Sequence, residues 1–136
     1  MKKYIGTKII HAEPATGPSG DGYNVTYKDG YKSWSPKAAF EEAYIAVDDI
    51  PDSLTIEYIE SCVVHSVYLR SQDGPLTICV LTLKNGYLVT GESACISMDN
   101  FNEQIGKDIA RANAIEKVWM LEGYLLKQRR AEAGVM

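Results

Sequence analysis

Three cysteines and two histidines are the side chains of this sequence with the most obvious capacity for covalent or metal chemistry. Cys62, Cys79 and Cys95 lie 17 and 16 residues apart, and His11 is far from His65 in sequence. This spacing contains no C-x-x-C pair and no Cys/His ligand set, so no metal site is predicted. The cysteines are interpreted as small buried side chains in a reducing cytoplasm. The alternative is a nucleophilic Cys62 or Cys95 beside His65.

The sequence contains none of the common motifs by which an enzyme can be recognised. It has no Gly-rich phosphate loop, no G-x-S-x-G, no H-E-x-x-H and no deaminase-type H-x-E with P-C-x-x-C. No clear pair of placed carboxylates is present either. A binding or assembly role is therefore favoured over an enzyme, and no cofactor is predicted.

Composition and charge narrow the class of partner. Of the 136 residues 46% are apolar and 24% are charged, which is ordinary for a soluble globular protein. No apolar run is long enough to span a membrane, and the start has no apolar segment typical of a secretory signal. Lys and Arg total 14 against 18 Asp and Glu, and this net charge of −4 argues against a nucleic-acid partner.

Residues 1–49 are predicted to form a small β-β-β-α module. YIGTKIIHA over 4–12 indicates the first strand, and PATGPSGDG over 14–22 indicates a loop. Asp29-Gly30 predicts a two-residue hairpin turn that pairs Tyr27 with Lys32 and Val25 with Trp34.

This register places four side chains on one face of the module: Tyr23, Val25, Tyr27 and Trp34. Ser35-Pro36 is expected to open a helix, with the serine hydroxyl as its cap. Phe40, Ala43 and Tyr44 would then cover the aromatic face. These aromatics are interpreted as the module's core, or alternatively as a stacking surface.

A second domain over 54–136 follows the boundary segment IAVDDIPDSL. TIEYIES predicts a short helix, VVHSVYLR a strand and SQDGP a turn. Two strands around Asn85-Gly86 form a predicted type I′ hairpin that pairs Cys79 with Glu92. In this register Glu92 ends an apolar face, either turning to water or lining a pocket rim. Gly91, on the other face, leaves room for another backbone or a ligand.

The C-terminal helix has two contrasting sides. Asn100 with Glu103 resembles a capping box. A stripe of larger apolar residues is predicted to face the core: Phe101, Ile105, Ile109, Ala112, Ile115 and Trp119. Nearly opposite, Gly106, Ala110 and Ala114 would admit a second backbone, from the segment 120–130 or from another subunit. The fold class is thus α+β: a small antiparallel β-module with one helix, then an antiparallel hairpin sheet packed on a long C-terminal helix.

Two stretches of the sequence resemble phage proteins. CVLTLKNGYLVTGESACIS, together with Trp119 and LEGYLL, resembles a small family of tailed bacteriophages and prophages named after gene 49 of one phage and gene 66 of another. The resemblance covers residues 54–130 and implies a phage-borne protein. Met120 stands where the family leads us to expect a proline, so a less sharp bend is expected there.

The N-terminal stretch, MKKYIGTKIIHAEP with DGYNVTYKDGYKSWSPKAAFEEAY, resembles a module of small phage accessory proteins. Some of these resemble anti-defence proteins that sequester nucleotide signals of Thoeris or CBASS immune systems. This resemblance implies a non-enzymatic protein of the host cytoplasm that binds a small nucleotide-type ligand, as a homo-oligomer.

Such a ligand needs an aromatic surface for its base, donors for its phosphates and acceptors for its hydroxyls. The candidate residues are Tyr31 or Trp34 for stacking, Arg111 or Lys84 for phosphate, and Glu92, Ser93 and Asn113 for hydroxyls. The alternative is a host-takeover or assembly protein that binds a protein partner through the Gly106/Ala110/Ala114 stripe or a hairpin edge.

Overall fold

The computed structural model describes residues 1–72 and 74–136. The chain is α+β, as predicted, and forms two compact units, Met1–Ile50 and Pro51–Met136. Each unit is built on one three-stranded antiparallel sheet. The predicted turn SQDGP includes residue 73, which lies outside the described residues.

The first unit has the predicted β-β-β-α order. Its elements are β1 (His11–Gly17), β2 (Gly20–Thr26), β3 (Lys32–Pro36), α1 (Lys37–Ala43) and a 3-10 turn (Val47–Asp49). The Tyr23 ring stacks on Phe40 with centroids 4.0 Å apart, so α1 covers the face of the sheet that carries Tyr23, as expected.

The predicted first strand over 4–12 and loop over 14–22 are wrong. The strand begins at His11 and continues through Pro14, and the chain reverses between Gly17 and Gly20. β1 is an edge strand, so the N–H that Pro14 lacks is not needed by an inner neighbour. The Pro and Gly residues that suggest a loop therefore sit in an edge strand and a tight turn.

The Asp29-Gly30 hairpin exists, but its predicted register is wrong by one residue. The Tyr27 N–H donates to the Tyr31 carbonyl at 2.8 Å, which leaves a loop of three residues, 28–30. Gly30 has φ +88°, whereas Asp29 does not have the positive φ that a two-residue type I′ turn would require. Trp34 consequently pairs with Asn24 rather than Val25, and lies on the opposite face from Tyr23.

The predicted serine cap of α1 is also wrong. Ser35 is still in β3, paired with Tyr23, and the helix begins at Lys37 with Pro36 as its N-cap residue. Because Ser35 is held extended by the sheet, its hydroxyl lies 3.4 Å from the Pro36 carbonyl instead of the first helical N–H groups.

The second unit packs one long helix on its sheet. Its elements are α2 (Ile56–Ser61), β4 (Val63–Arg70), β5 (Leu76–Leu83), β6 (Leu88–Ala94), a 3-10 turn (Met98–Asn100) and α3 (Glu103–Glu132). In the described part of the chain, no helix is long and apolar enough to cross a membrane.

The β5–β6 hairpin shows the same register error as the first hairpin. Leu83 N–H donates to the Tyr87 carbonyl at 2.9 Å, and Gly86 has φ +87°, so the loop again has three residues. Cys79 therefore pairs with Gly91, and Glu92 pairs with Ile78 on the outer face, away from α3. The prediction that Glu92 ends the core face is wrong.

The helix α3 begins two residues later than predicted. Residues Met98–Asn100 form a 3-10 turn, and Asn102 caps the helix by accepting a 3.0 Å hydrogen bond from Ile105 N–H. The helix then continues through Met120 to Glu132, so the segment 120–130 extends it and cannot fold back over it.

In the N-terminal half of α3 the two sides are reversed relative to the prediction, whereas Ile115 and Trp119, further along the predicted stripe, are partly buried against the core. The small stripe faces the sheet: Gly106, Ala110 and Ala114 are buried. Ile105 and Ile109, predicted as core, are 57% and 47% exposed. The cause is Gly91, where a Cβ would collide with the backbone of Ala110 and Ala114. The helix and sheet backbones approach too closely there for larger side chains between them.

The second unit covers part of the outward side of α3 with its own first residues. Leu54 packs against the core and its Cδ1 lies 4.0 Å from where a Cβ on Gly123 would be. Arg130 donates to the Pro51 carbonyl at 3.2 Å. The two alternatives from the sequence, the segment 120–130 and another subunit, concerned the small stripe, which the sheet of the same unit covers instead.

Candidate functional site

A cleft of about 790 Å³ lies where α2, the β5–β6 turn and the C-terminal part of α3 meet. Part of its lining is aliphatic, from Leu54, Leu83, Leu125 and Leu126. Charged groups of both signs also line it: Lys84, Glu122, Arg129 and Glu132. The cleft thus offers an apolar surface beside cationic donors and carboxylate acceptors.

Local hydrogen bonds place α2 along this cleft. Thr55 caps the helix by accepting from Tyr58 N–H at 3.1 Å, and Ile59 is wholly buried. Lys84 N–H donates to the Cys62 carbonyl at 3.0 Å, which ties the β5–β6 turn to the end of α2. The backbone therefore fixes Lys84 and Tyr58 to the same cleft.

A phenol–carboxylate pair crosses the cleft. The Tyr58 hydroxyl donates to Glu122 Oε2 at 3.2 Å. Partial burial, and then the negative charge of Glu122, raise the pKa of Tyr58 to about 12. The phenol is therefore a neutral donor at physiological pH, and it holds one carboxylate oxygen while the other can accept from a ligand.

The thiol in this cleft is poorly suited to nucleophilic chemistry. Cys62 is only 4% exposed, and burial, followed by the charge of Glu122, raises its pKa above the ordinary value. A thiolate is the reactive form, so these surroundings disfavour the alternative of Cys62 acting with His65.

The residues predicted from the sequence do not converge on one site. Glu92 and Asn113 do meet, because Asn113 Nδ2 donates to the Glu92 carbonyl at 2.8 Å. Half-buried Ser93 follows Glu92 in β6, and the Glu92 carboxylate is 3.5 Å from Thr90 Oγ1. Lys84 lies by the cleft at the other end of the same hairpin. Tyr31 and Trp34 belong to the first unit.

Arg111, predicted as a phosphate ligand, is held by a carboxylate of its own unit. Its two terminal nitrogens donate to Glu60 Oε1 and Oε2 at 2.9 and 2.7 Å, in a bidentate pair between α3 and α2. A ligand phosphate would have to displace Glu60 to reach this guanidinium.

The Arg111–Glu60 pair predicts a pH-dependent contribution to stability. Hydrogen bonding by Arg111 lowers the pKa of Glu60 below its ordinary value. The contribution is therefore present above the unfolded-state pKa of about 4.3 and is lost as the pH falls through the lower folded-state pKa. Because the side chains are 32% and 45% exposed, we expect it to be below about 1 kcal/mol.

The measurement is the free energy of unfolding of the wild type and Glu60→Gln between about pH 7 and pH 3. The difference between them should shrink as the pH falls. Glu57→Gln removes the same charge from α2 and serves as the control. If the difference in free energy of unfolding between the wild type and Glu60→Gln stayed constant down to about pH 3, the assignment would be contradicted.

Sequence reasoning missed three residues of the cleft: Tyr58, Glu122 and Arg129. A usable signal was present, because Glu122, Leu125 and Arg129 are spaced by three and four and so share one helix face.

Comparison with known proteins places the second unit in a phage family. Residues 54–130 match the Phage protein (N4 Gp49/phage Sf6 gene 66) family, and the chain belongs to this family. The matched range contains α2, the three-stranded sheet and nearly all of α3. Neither the curated proteins nor the solved structures contain a match to the chain.

Proposed function

We propose that this phage protein is a non-enzymatic accessory protein that binds and sequesters a nucleotide-derived immune signal, of the Thoeris or CBASS type, in the α2–α3 cleft. The observation that carries the proposal is the lining of the cleft, where Lys84 and Arg129 flank an apolar surface. The resemblance of the N-terminal module to anti-defence proteins supplies the ligand class.

The size and chemistry of the cleft suit a small nucleotide. Pockets for small ligands typically enclose about 300–1,000 Å³ and combine apolar walls with a few placed polar groups. Lys84 and Arg129 would meet phosphate oxygens, the exposed Tyr58 ring would contact the base, and Glu122 would accept from ribose hydroxyls.

The phosphate role moves from Arg111 to Lys84 and Arg129 in this proposal. Arg111 already has both terminal nitrogens on Glu60, whereas Lys84 and Arg129 are exposed side chains of the cleft. Two cations in the cleft give an anionic ligand local donors in a protein of net charge −4, although Glu122 and Glu132 line the same cleft and balance their charge.

The test is native mass spectrometry of the full chain after incubation with lysates that contain activated TIR- or cyclase-type signals. We expect a nucleotide that is released intact on denaturation, and at least about a tenfold loss of affinity in Lys84→Ala/Arg129→Ala. Lys127→Ala, which removes a charge from the same helix outside the cleft lining, should bind normally. Retention that is equal in the double variant would overturn the assignment to this cleft.

A protein partner is the second candidate function. The observation that favours it is the exposed apolar side of α3, where Ile105, Ile109 and Met120 are 57%, 47% and 69% exposed. In this case Ile109→Glu should abolish capture of a host protein and leave nucleotide retention intact. Capture that survives Ile109→Glu would remove this surface from consideration.

A further inference from the structure

Trp34 is fixed flat on the face of the first sheet that α1 does not cover. Its Nε1–H donates to the Ala15 carbonyl at 3.0 Å. Its ring lies directly over Gly17 and Gly22, where a Cβ on either glycine would collide with ring carbons. The two glycines thus let the indole of this β3 residue lie across β2 and β1, and the hydrogen bond fixes its position.

Polar side chains form two cross-strand rows beside this ring. The register places Glu13, Asn24 and Trp34 side by side across the three strands, and His11, Thr26 and Lys32 form the next row. Directly opposed residues in antiparallel strands point to the same face. All six side chains therefore share the uncovered face, and these residues line a concavity of about 620 Å³.

The position of Trp34 is not explained by core packing. The core contact of this unit lies on the other face, where Phe40 stacks on Tyr23. On its own face, Trp34 covers two glycines in strands. Glycine in a strand has no side chain to pack and loses more conformational freedom on folding than other residues do. The result is an aromatic platform with a carboxylate and an amide in its own cross-strand row, and with an imidazole, a hydroxyl and an amine in the next row.

This mixture of groups matches a neutral polyhydroxyl ligand better than a polyanion. Sugar hydroxyls each donate and accept, so they need acceptors such as Glu13 as well as donors such as Lys32. A phosphate backbone needs an excess of cations, whereas this face sets one carboxylate, Glu13, in the row of the ring against one lysine, Lys32, in the next row. The apolar face of a pyranose ring can lie on a flat indole, whose amphipathic character suits a partly wet surface.

We propose that the uncovered face of the first sheet is a binding site for a neutral oligosaccharide, with Trp34 as the platform and Glu13 and Asn24 as hydroxyl-binding groups. This site is independent of the α2–α3 cleft and lies outside the residues matched by the phage family.

Intrinsic fluorescence tests this site directly, because the chain has two tryptophans and Trp119→Phe leaves Trp34 as the reporter. The probes are chitotetraose, maltotetraose and cellotetraose at up to millimolar concentrations. We expect at least one of them to shift the Trp34 emission and to protect it from acrylamide quenching.

Variants decide whether this face is responsible. Trp34→Ala should abolish binding as measured by saturation-transfer NMR. Glu13→Ala keeps the platform, removes an exposed carboxylate acceptor, and should weaken binding at least about tenfold even where Trp34→Ala fails to fold. Glu42→Ala, on α1, is the matched control and should bind as the parent does.

Three results would overturn the proposal. The first is the absence of binding by all three oligosaccharides, and the second is binding that Glu13→Ala leaves unchanged. The third is preferential binding of adenosine monophosphate or a single-stranded oligonucleotide at Trp34, which would identify the platform as a nucleobase site.

Discussion

Gly91→Ala is expected to lower the free energy of unfolding of the second unit by about 3 kcal/mol, although it adds only one carbon atom. The added Cβ would collide with the Ala110 carbonyl oxygen and with the backbone nitrogen and Cα of Ala114. These are main-chain atoms of α3, so no side chain can rotate to make room. Chemical denaturation of the full chain, followed by far-UV circular dichroism, measures the effect.

Gly123→Ala is the matched control, and its effect should have the opposite sign. A Cβ there meets only Leu54 Cδ1 at 4.0 Å, which is an ordinary contact. Alanine is favoured over glycine inside a helix by about 0.5 to 1 kcal/mol, so this variant should be more stable than the wild type. If Gly91→Ala proved as stable as Gly123→Ala, the close approach of α3 to β6 would be refuted.

Ala110→Leu is expected to destabilise the second unit by about 3 kcal/mol or more. Ala110 is 0% exposed and packs on the sheet next to Gly91, where the two backbones are too close for a longer side chain. If the small stripe instead admitted a helix from another subunit, as one alternative from the sequence has it, Ala110→Leu would change the oligomeric mass of a folded chain. That result requires the small stripe to be a free surface, whereas it is the core contact of α3.

Ala112→Leu makes the same chemical change on the exposed side of α3 and separates the two interpretations. It should leave the free energy of unfolding within about 0.5 kcal/mol of the wild type, since surface changes are usually small. Size-exclusion chromatography on both variants completes the test. A well-folded Ala110→Leu protein with altered mass would contradict the packing described above.

Much of the fold could be predicted from local sequence signals. The strand over 63–70, the short helix of TIEYIES and the existence of both hairpins are all confirmed. The hairpin registers could not be predicted, because Asp29-Gly30 and Asn85-Gly86 suit either of two loops. A two-residue loop needs positive φ at both positions, whereas a three-residue loop needs it only at the glycine.

The prediction of which side of α3 contacts the sheet failed for a different physical reason. Periodicity correctly separated a large apolar stripe from a small one, but it cannot say which stripe contacts the sheet. That choice depends on Gly91 in a distant strand, which allows a close approach that only glycine and alanine on the helix can match. Assigning larger residues to the core is the usual expectation, and here it is wrong for Ile105 and Ile109 but not for Ile115 and Trp119, which pack partly buried against the core.

The candidate cleft could be predicted only in part. Lys84 was identified because it adjoins a hairpin turn, and the cleft contains it. Its neighbours come from α2 and from the end of α3, which are brought together by tertiary packing rather than by sequence proximity. Arg111 was a plausible phosphate ligand in the sequence, but Glu60, 51 residues away, holds its side chain.

The three-residue loop at Asn85-Gly86 also affects how fast Asn85 deamidates. Asn-Gly is the dipeptide in which deamidation is usually fastest, because the glycine backbone nitrogen readily attacks the asparagine side-chain amide carbon, which expels ammonia and closes a cyclic imide that water then opens. Here the Asn85 side-chain oxygen accepts from Tyr87 N–H at 3.0 Å, and Gly86 N–H donates to Leu83 at 2.8 Å. Both reacting groups are therefore held while the hairpin is folded and are released when it unfolds. Succinimide formation at this loop would record how long each molecule had been unfolded, and the isoaspartate that follows would add a negative charge beside Lys84.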